Sequence, residues 1–274
     1  MANAQHAHIL PELQENEFKK FQSLIYKLAK ISVSDAKRTL VAGRLSKRIR
    51  HYQFRTYEEY YQLVTRSDQL PERQIMIDLL TTNETYFFRE PKHFDYLKQK
   101  ILPNIKQRPV KVWSAASSTG AEPYTLAMVL EDTVGRGNWE MFATDISSRV
   151  LETARQASYP MDAAKNIPRH YLHKYCLKGI GEAAGTFRID APLRNSVKFA
   201  HLNLNGEWPD IDSFHIIFLR NVMIYFDHET KDKLVCKIAK KILPQGHFVI
   251  SHSETLHSIN SGLKTIQPSI YQKP

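Results

Sequence analysis

Cysteine is scarce: Cys176 and Cys236 are the only two in 274 residues. They form no CxxC pair and no disulfide framework, which suits a reducing compartment. No stretch approaches the about 18 consecutive apolar residues that a membrane span needs. The opening segment MANAQHAHILPELQENEF has no basic stretch leading into an apolar core, so it does not read as a signal peptide. These absences point to a cytoplasmic protein with no membrane insertion. Glycine is sparse as well, with ten residues. There is no GxGxxG fingerprint and no GK[ST] phosphate loop, which argues against a dinucleotide cofactor such as NAD and against a P-loop enzyme. HExxH and GxSxG are missing too. His170, His173 and Cys176 spread around a helix rather than converging, so no metal is expected.

What is present is an ordinary globular composition, 42% hydrophobic and 24% charged, which excludes wholesale disorder. The length suits one large or two modest domains. The formal net charge is +10, which implies an acidic partner without naming it. That charge is concentrated. Between Lys27 and Arg55 lie Lys27, Lys30, Lys37, Arg38, Arg44, Lys47, Arg48, Arg50 and Arg55 against a single acid, Asp35. The stretch SDAKRTLVAGRLSKRIRHY reads as one helix with Ser34 as its N-cap. Val41, Leu45, Ile49 and Tyr52 share its apolar arc, and Lys37, Arg44, Lys47 and Arg48 a neighbouring one. Two readings stay open for the basic arc, a solvated face and a docking surface.

The first 80 or so residues carry apolar positions at helical spacing throughout, in EFKKFQSLIYKLAK, TYEEYYQLVTR and PERQIMIDLLTT. We expect a helical domain over residues 1–80, a linker together with the TTNETYFFRE segment over 81–108 and a second domain over 109–274. In the latter, VKVWSAA, MFATDIS, VKFAHLNL, FHIIFLRNVMIYF and GHFVISH read as strands. PYTLAMVLED, SRVLETARQASY and HETKDKLVCKIAKKIL read as helices between them. Such alternation predicts an α/β fold with a mainly parallel, doubly wound sheet. The glycine-bearing stretch from Lys178 to Arg194 reads as a hairpin-like insertion, a small β-subdomain at about 176–196.

In doubly wound sheets, ligands sit beyond the carboxyl ends of the strands. The loop Ser117–Glu122 occupies that position, and its small residues allow close approach of a ligand to the backbone. Glu122 would repel phosphate and suits a cation. Asp145 ends the next strand, where an acid commonly accepts from ribose hydroxyls. The other reading of Asp145, a helix N-cap, stays open on spacing alone. A ligand with a ribose, no pyrophosphate and a positive charge fits, and S-adenosylmethionine meets that description.

Five ordered blocks then carry a resemblance. They are Thr81-Thr82-Asn83-Glu84-Thr85-Tyr86-Phe87-Phe88-Arg89-Glu90, then Trp113 to Gly120 with Glu122-Pro123-Tyr124, then Ala143-Thr144-Asp145-Ile146-Ser147, then Arg220 to Asp227, and lastly His252-Ser253-Glu254. Together they resemble the chemotaxis receptor methyltransferases, the CheR family, from about Phe21 to Lys273. The resemblance implies a Rossmann-like S-adenosylmethionine-dependent methyltransferase sheet with a small all-α N-terminal domain and a small β insertion. It implies transfer of a methyl group to glutamate side chains on the cytoplasmic helices of chemoreceptors, for sensory adaptation.

By resemblance, Asn83, Thr85 and Arg89 would reach the cofactor, Glu122 would bind its amino end and Asp145 its ribose. Asn203 and Leu204 would flank the adenine, and Leu219 and Arg220 would close the pocket. Arg89 and Tyr225 would orient the reacting carboxylate, with Arg89 alternatively fixing the cofactor's own carboxylate. Lys37, Arg44, Lys47, Arg48 and Arg50 would dock the acidic receptor helices, and the β-subdomain would grip a receptor tail peptide. The chain departs from the family at Ala121, Ser117, Leu219 and Ser251, none of which removes an implied polar contact. Two rival classes are a nucleic-acid methyltransferase reading phosphate with its basic patch and an inactive cofactor-binding regulator.

Overall fold

A computed structural model describes residues 10–274. The first nine residues of the opening segment read above for a leader lie outside the described residues. The chain forms two compact units, one ending at Thr82 and the other running Asn83–Pro274.

The first unit holds four helices, α1 (Glu15–Ala29), α2 (Arg38–His51), α3 (Tyr57–Thr65) and α4 (Leu70–Leu80). Local chemistry sets their starts. Gln14 and Glu17 form a reciprocal cap on α1, and Thr56 and Glu59 do the same for α3. A proline lies in the first turn of α4, where its missing N–H costs nothing. Phe18, Phe21, Leu45, Ile49, Tyr60, Val64 and Met76 fill the core. The long basic helix expected from Ser34 is broken at its start. Asp35–Lys37 form a 3-10 turn, and α2 begins only at Arg38. Ser34 has the extended backbone of a cap but makes no side-chain cap bond.

The second unit begins 26 residues before the expected boundary at 109. Residues 83–108 are not a linker. Helix α5 (Lys92–Tyr96) runs into a π-helical turn at Leu97–Ile101 and a 3-10 turn at Leu102–Asn104. Phe87, Phe94, Leu97, Ile101 and Leu102 from this stretch are buried in the core of the second unit. Helical spacing alone could not assign them, since it says nothing about which core an apolar face joins.

Then follow β1 (Val110–Ser114), α6 (Ala121–Val134), β2 (Trp139–Asp145), α7 (Ser148–Gln156), β3 (Ser158–Pro160), α8 (Arg169–Tyr175), β4 (Cys176–Lys178), β5 (Thr186–Ile189), α9 (Ala191–Asn195), β6 (Val197–His201), β7 (Phe214–Phe218), α10 (His228–Lys240), β8 (Ile242–Val249), β9 (Lys264–Gln267) and β10 (Ile270–Gln272). Seven strands form one sheet in the order β6-β2-β1-β7-β8-β10-β9. The first five are parallel, and β10 and β9 run antiparallel at one edge. Strand β7 is buried along its whole length, as expected of a parallel strand covered on both faces. The expected strand FHIIFLRNVMIYF is shorter, because Leu219 onward leaves the sheet and Met223–Tyr225 form a 3-10 turn. Helix α10 stops at Lys240, and Ile242 already belongs to β8.

Strands β3, β5 and β4 make a separate antiparallel sheet. The hairpin of β4 and β5 matches the expected insertion, but the third strand comes from Ser158–Pro160, upstream of α8 and of the expected bound at 176. Among the described residues, no helix is long and apolar enough to cross a membrane.

Candidate active site

The order of strands in the large sheet reverses between β1 and β7, which themselves run parallel. From β1 the order runs outward to β2 and β6 on one side, and to β7 and β8 on the other. The loops that leave β1 and β7 therefore diverge and open a crevice at their carboxyl ends.

The loop after β1 is built for close packing. Gly120 has φ +93, and a Cβ there would lie 2.9 Å from the Tyr159 hydroxyl and 3.0 Å from Ala154 Cβ. Tyr159 donates to the Thr119 carbonyl at 2.8 Å, and Ser118 stands in the left-handed region at φ 48. The Ser117 hydroxyl is buried and has no hydrogen-bond partner in the protein. The Ser118 hydroxyl donates to the Asn83 carbonyl at 2.7 Å, tying the Asn83–Glu90 stretch to this loop.

Asp145 ends β2 and is 7% exposed. It accepts from the Ser118 amide at 2.8 Å and the Ser147 amide at 2.9 Å. The cap of α7 is Ser147, which accepts from the Val150 amide. Asp145 thus organises the meeting of two strand-end loops rather than capping the helix. Its main-chain carbonyl accepts from Leu202 at 2.9 Å, which brings the end of β6 alongside. Asn203 and Leu204 follow directly. Asn203 Oδ1 accepts from the Asn205 amide at 3.0 Å, and Trp208 donates to the Leu204 carbonyl at 3.1 Å.

Glu122 lies in the first turn of α6, where the helix dipole favours a negative charge. Its Oε1 accepts from the Ser114 hydroxyl at 2.8 Å, and its Oε2 from Arg220 Nη1 at 2.9 Å. Arg220 follows the end of β7, with its side chain 2% exposed. It also reaches Glu90 Oε2 at 3.1 Å and donates to the Arg89 carbonyl. Leu219 is fully buried, so any part it plays at the pocket runs through its main chain.

Arg89 itself is half-buried. It donates to the Glu84 carbonyl at 3.1 Å, and its guanidinium lies over the Tyr86 ring. Thr85 is half-buried on the same stretch. Tyr225 is half-buried in the 3-10 turn after β7. The structure thus brings Asn83, Glu122, Asp145, Asn203, Leu204 and Arg220 to the carboxyl edge of neighbouring strands. Arg89 joins through its main chain.

Two acids that the sequence reading left without a role organise this edge. Glu254 accepts from the amides of Asn221 and Val222, each at 3.1 Å, and of Ser251 at 3.0 Å. Burial nevertheless holds its carboxyl above the ordinary value, against the lowering effect of those amides. It pins the loop that carries Arg220 and Tyr225. Glu90, at φ 57, accepts from the Ser251 hydroxyl at 2.8 Å and the His252 amide at 3.3 Å. Glu90, His93 and His252 offer donor atoms within 4.8 Å of one another, a set that could hold a metal ion. Arg220 already places a cation against Glu90 there. The only available signal for Glu90 and Glu254 was their place inside two of the quoted blocks.

The basic helix divides its charges. Arg48 forks onto buried Glu72 at 2.7 and 2.5 Å, and Tyr60 and Tyr52 also donate to that carboxylate. Arg44 donates to the carbonyls of Leu80 and Thr81 and to the Thr82 hydroxyl. Both therefore serve the fold of their own unit. Lys37, Lys47 and Arg50 are exposed.

An S-adenosyl nucleoside fits this edge on the structure's own terms. The loop backbone leaves no room for a side chain at Gly120, a buried Ser117 hydroxyl lacks a partner, and two buried carboxylates stand in the first turn of α6 and at the end of β2. Residues 16–81 match the all-alpha domain of the CheR methyltransferases, and residues 83–271 match their SAM binding domain. The chain is 36% identical to the chemotaxis protein methyltransferase of Borreliella burgdorferi, over 95% of this chain and 95% of the relative. It is 38% identical to the Escherichia coli strain K12 protein of the same name, covering 88% of this chain and 85% of the relative. It is 35% identical to chemotaxis protein methyltransferase 2 of Pseudomonas aeruginosa, covering 93% and 92%. With both of its units matched, the chain belongs to the CheR methyltransferase family and is an S-adenosylmethionine-dependent methyltransferase.

Proposed function

We propose that this enzyme methylates glutamate side chains on the cytoplasmic helices of chemoreceptors, working in the cytoplasm and forming methyl esters. The observation that carries this reading is the pair of buried carboxylates, Glu122 in the first turn of α6 and Asp145 at the end of β2, in a chain whose relatives are chemotaxis protein methyltransferases. Glu122 would hold the cofactor's ammonium and Asp145 its ribose, with Asn203 and Leu204 beside the adenine. Asn83 and Thr85 would line the approach, and the Leu219 main chain with Arg220 would close it.

When bound, S-adenosylmethionine supplies an electrophilic methyl group on a sulfonium that leaves as a neutral thioether. The acceptor needs little activation, because a free glutamate has a pKa of about 4.3 and is ionised near pH 7. The protein's work is alignment and exclusion of water, which together account for about 7–11 kcal/mol of a barrier in well-oriented reactions. Arg89 and Tyr225 are the groups proposed to orient the acceptor carboxylate. Arg89 is held on its own loop by the Glu84 carbonyl and the Tyr86 ring, which limits how far it swings. That restraint suits orientation of one oxygen without a tight grip on the attacking one.

For docking, Lys37, Lys47 and Arg50 are proposed to act from the surface of α2 and the turn before it, where they are exposed. Arg44 and Arg48 support that surface from within their unit. Strand β4 is an edge of the small sheet, with Leu177 60% and Ile180 82% exposed nearby. A receptor tail peptide is proposed to add a strand there.

The test is transfer of label from methyl-tritiated cofactor to receptor cytoplasmic fragments and, in parallel, to RNA. Base-labile label on the receptor fragment supports ester formation. Base-stable label, or label on RNA alone, overturns it.

A further inference from the structure

Glu90 forms one side of a buried charge triad. Arg220 lies between two carboxylates, 2.9 Å from Glu122 and 3.1 Å from Glu90. Its guanidinium side chain is 2% exposed, while those of Glu122 and Glu90 are 11% and 17% exposed. Two anions and one cation leave the triad with one net negative charge. His93, packed beside Glu90, does not cancel it. Burial chiefly, with Arg220 beside it, holds that imidazole down to about 3, so it is neutral at physiological pH.

The carboxylate of Glu90 is fixed independently of Arg220. The Ser251 hydroxyl and the His252 amide hold its two oxygens from the strand-end segment after β8. Without the Glu90 charge, Arg220 would neutralise Glu122, and the crevice would lose its attraction for a cation. With it, Arg220 is shared and Glu122 keeps a surplus of negative potential. A low-dielectric crevice magnifies that difference.

We propose that Glu90 is a positioning residue for cofactor recognition: by sharing Arg220 with Glu122, it leaves Glu122 the net charge needed to take the ammonium of an S-adenosyl amino acid. This rests on the reading of Glu122 as the ammonium's partner. It separates selectivity for the amino acid end of the cofactor from the affinity for its nucleoside.

The test uses the full chain and two probes, S-adenosylhomocysteine and 5′-methylthioadenosine, which share the nucleoside thioether but differ in the amino acid end. Binding of both is measured by calorimetry for the wild-type, Glu90→Gln and Glu90→Asp proteins. Glu90→Gln keeps the shape and one acceptor but loses the charge. It is expected to weaken S-adenosylhomocysteine about tenfold, equivalent to about 1.4 kcal/mol, with 5′-methylthioadenosine unchanged. Glu90→Asp restores the preference. Equal loss for both probes would show that Glu90 only supports the fold, and no loss for either would show that the shared charge is irrelevant; each overturns the proposal. If Glu90→Gln fails to fold, Glu90→Asp against Glu90→Asn gives the same comparison with a side chain one methylene shorter. Failure of the wild-type protein to bind either probe overturns the pocket reading itself, and the proposal with it.

Discussion

At Gly120, backbone conformation and crowding act together. The residue has φ +93, and an added Cβ would meet Tyr159, Ala154 and Tyr124 within 3.1 Å. Strain of this kind costs about 1–3 kcal/mol. Gly120→Ala is therefore expected to lower stability by that amount in denaturant unfolding and to weaken S-adenosylhomocysteine binding. Unchanged values for both would contradict the loop's assigned role. Glu122 and Asp145 were legible because strand-end loops in an alternating α/β pattern are predictable from the sequence. Spacing alone left Asp145 between a helix cap and a ligand contact. The structure assigns the cap to Ser147. Glu90 and Glu254 had no legible role, since their partners lie far along the chain, 161 residues away for Ser251 with Glu90 and 33 for Asn221 with Glu254. No local pattern encodes such pairs.

Helix α2 shows where patterning misleads at the scale of an element. A run of basic residues reads as one face, and charge reversal at Arg44 and Arg48 is the test the sequence suggests. The structure redirects that test. Arg48 is paired with Glu72, whose side chain is 4% exposed. Removing one partner of such a pair costs about 3–5 kcal/mol. Glu72→Ala is expected to destabilise the helical unit by that amount in urea unfolding, and a loss under about 1 kcal/mol, typical of an exposed pair, would contradict the buried assignment.

The pH dependence has a definite sign. Burial alone raises the Glu72 carboxyl, but hydrogen bonds from Arg48, Tyr60 and Tyr52 outweigh it and hold the folded value below the usual one. Its contribution is thus fully present above about pH 4.3 and is lost as pH falls through the folded value. Acid unfolding of the Glu72→Gln protein should show a shallower loss in that window than the wild type.

The docking test moves to Lys37, Lys47 and Arg50. Reversing all three to Glu is expected to raise KM for receptor fragments about tenfold at low salt, with cofactor affinity unchanged. An unchanged KM would remove the docking role. The stretch 83–108 was the other element misread, because apolar helical spacing cannot say which core it joins. The antiparallel edge of β9 and β10 was not foreseen either. These strands are four and three residues long, and Lys264, Thr265 and Ile266 are exposed, so no buried alternation marks them.

Across the whole molecule, the densest run of positive charge, Lys27 to Arg55, lies in the helical unit, while the acids that shape the pocket lie in the sheet unit. The two proposed tasks, attracting an acidic protein and holding a cationic nucleoside, thus fall on separate units. Alternation of strands and helices made the second unit's class legible, and the ordered blocks made its chemistry legible. What remained hidden was the third strand of the small sheet. Ser158–Pro160 pairs with a strand 26 or more residues further on, a contact no turn signal announces. The measurement that bears most directly on the whole account is a calorimetric titration of S-adenosylhomocysteine into the wild-type and Asp145→Ala proteins. The account predicts one site per chain in the wild type and a loss of tenfold or more, about 1.4 kcal/mol, in the variant. A folded wild-type protein that takes up no ligand, or a variant that binds as tightly as its parent, would contradict it.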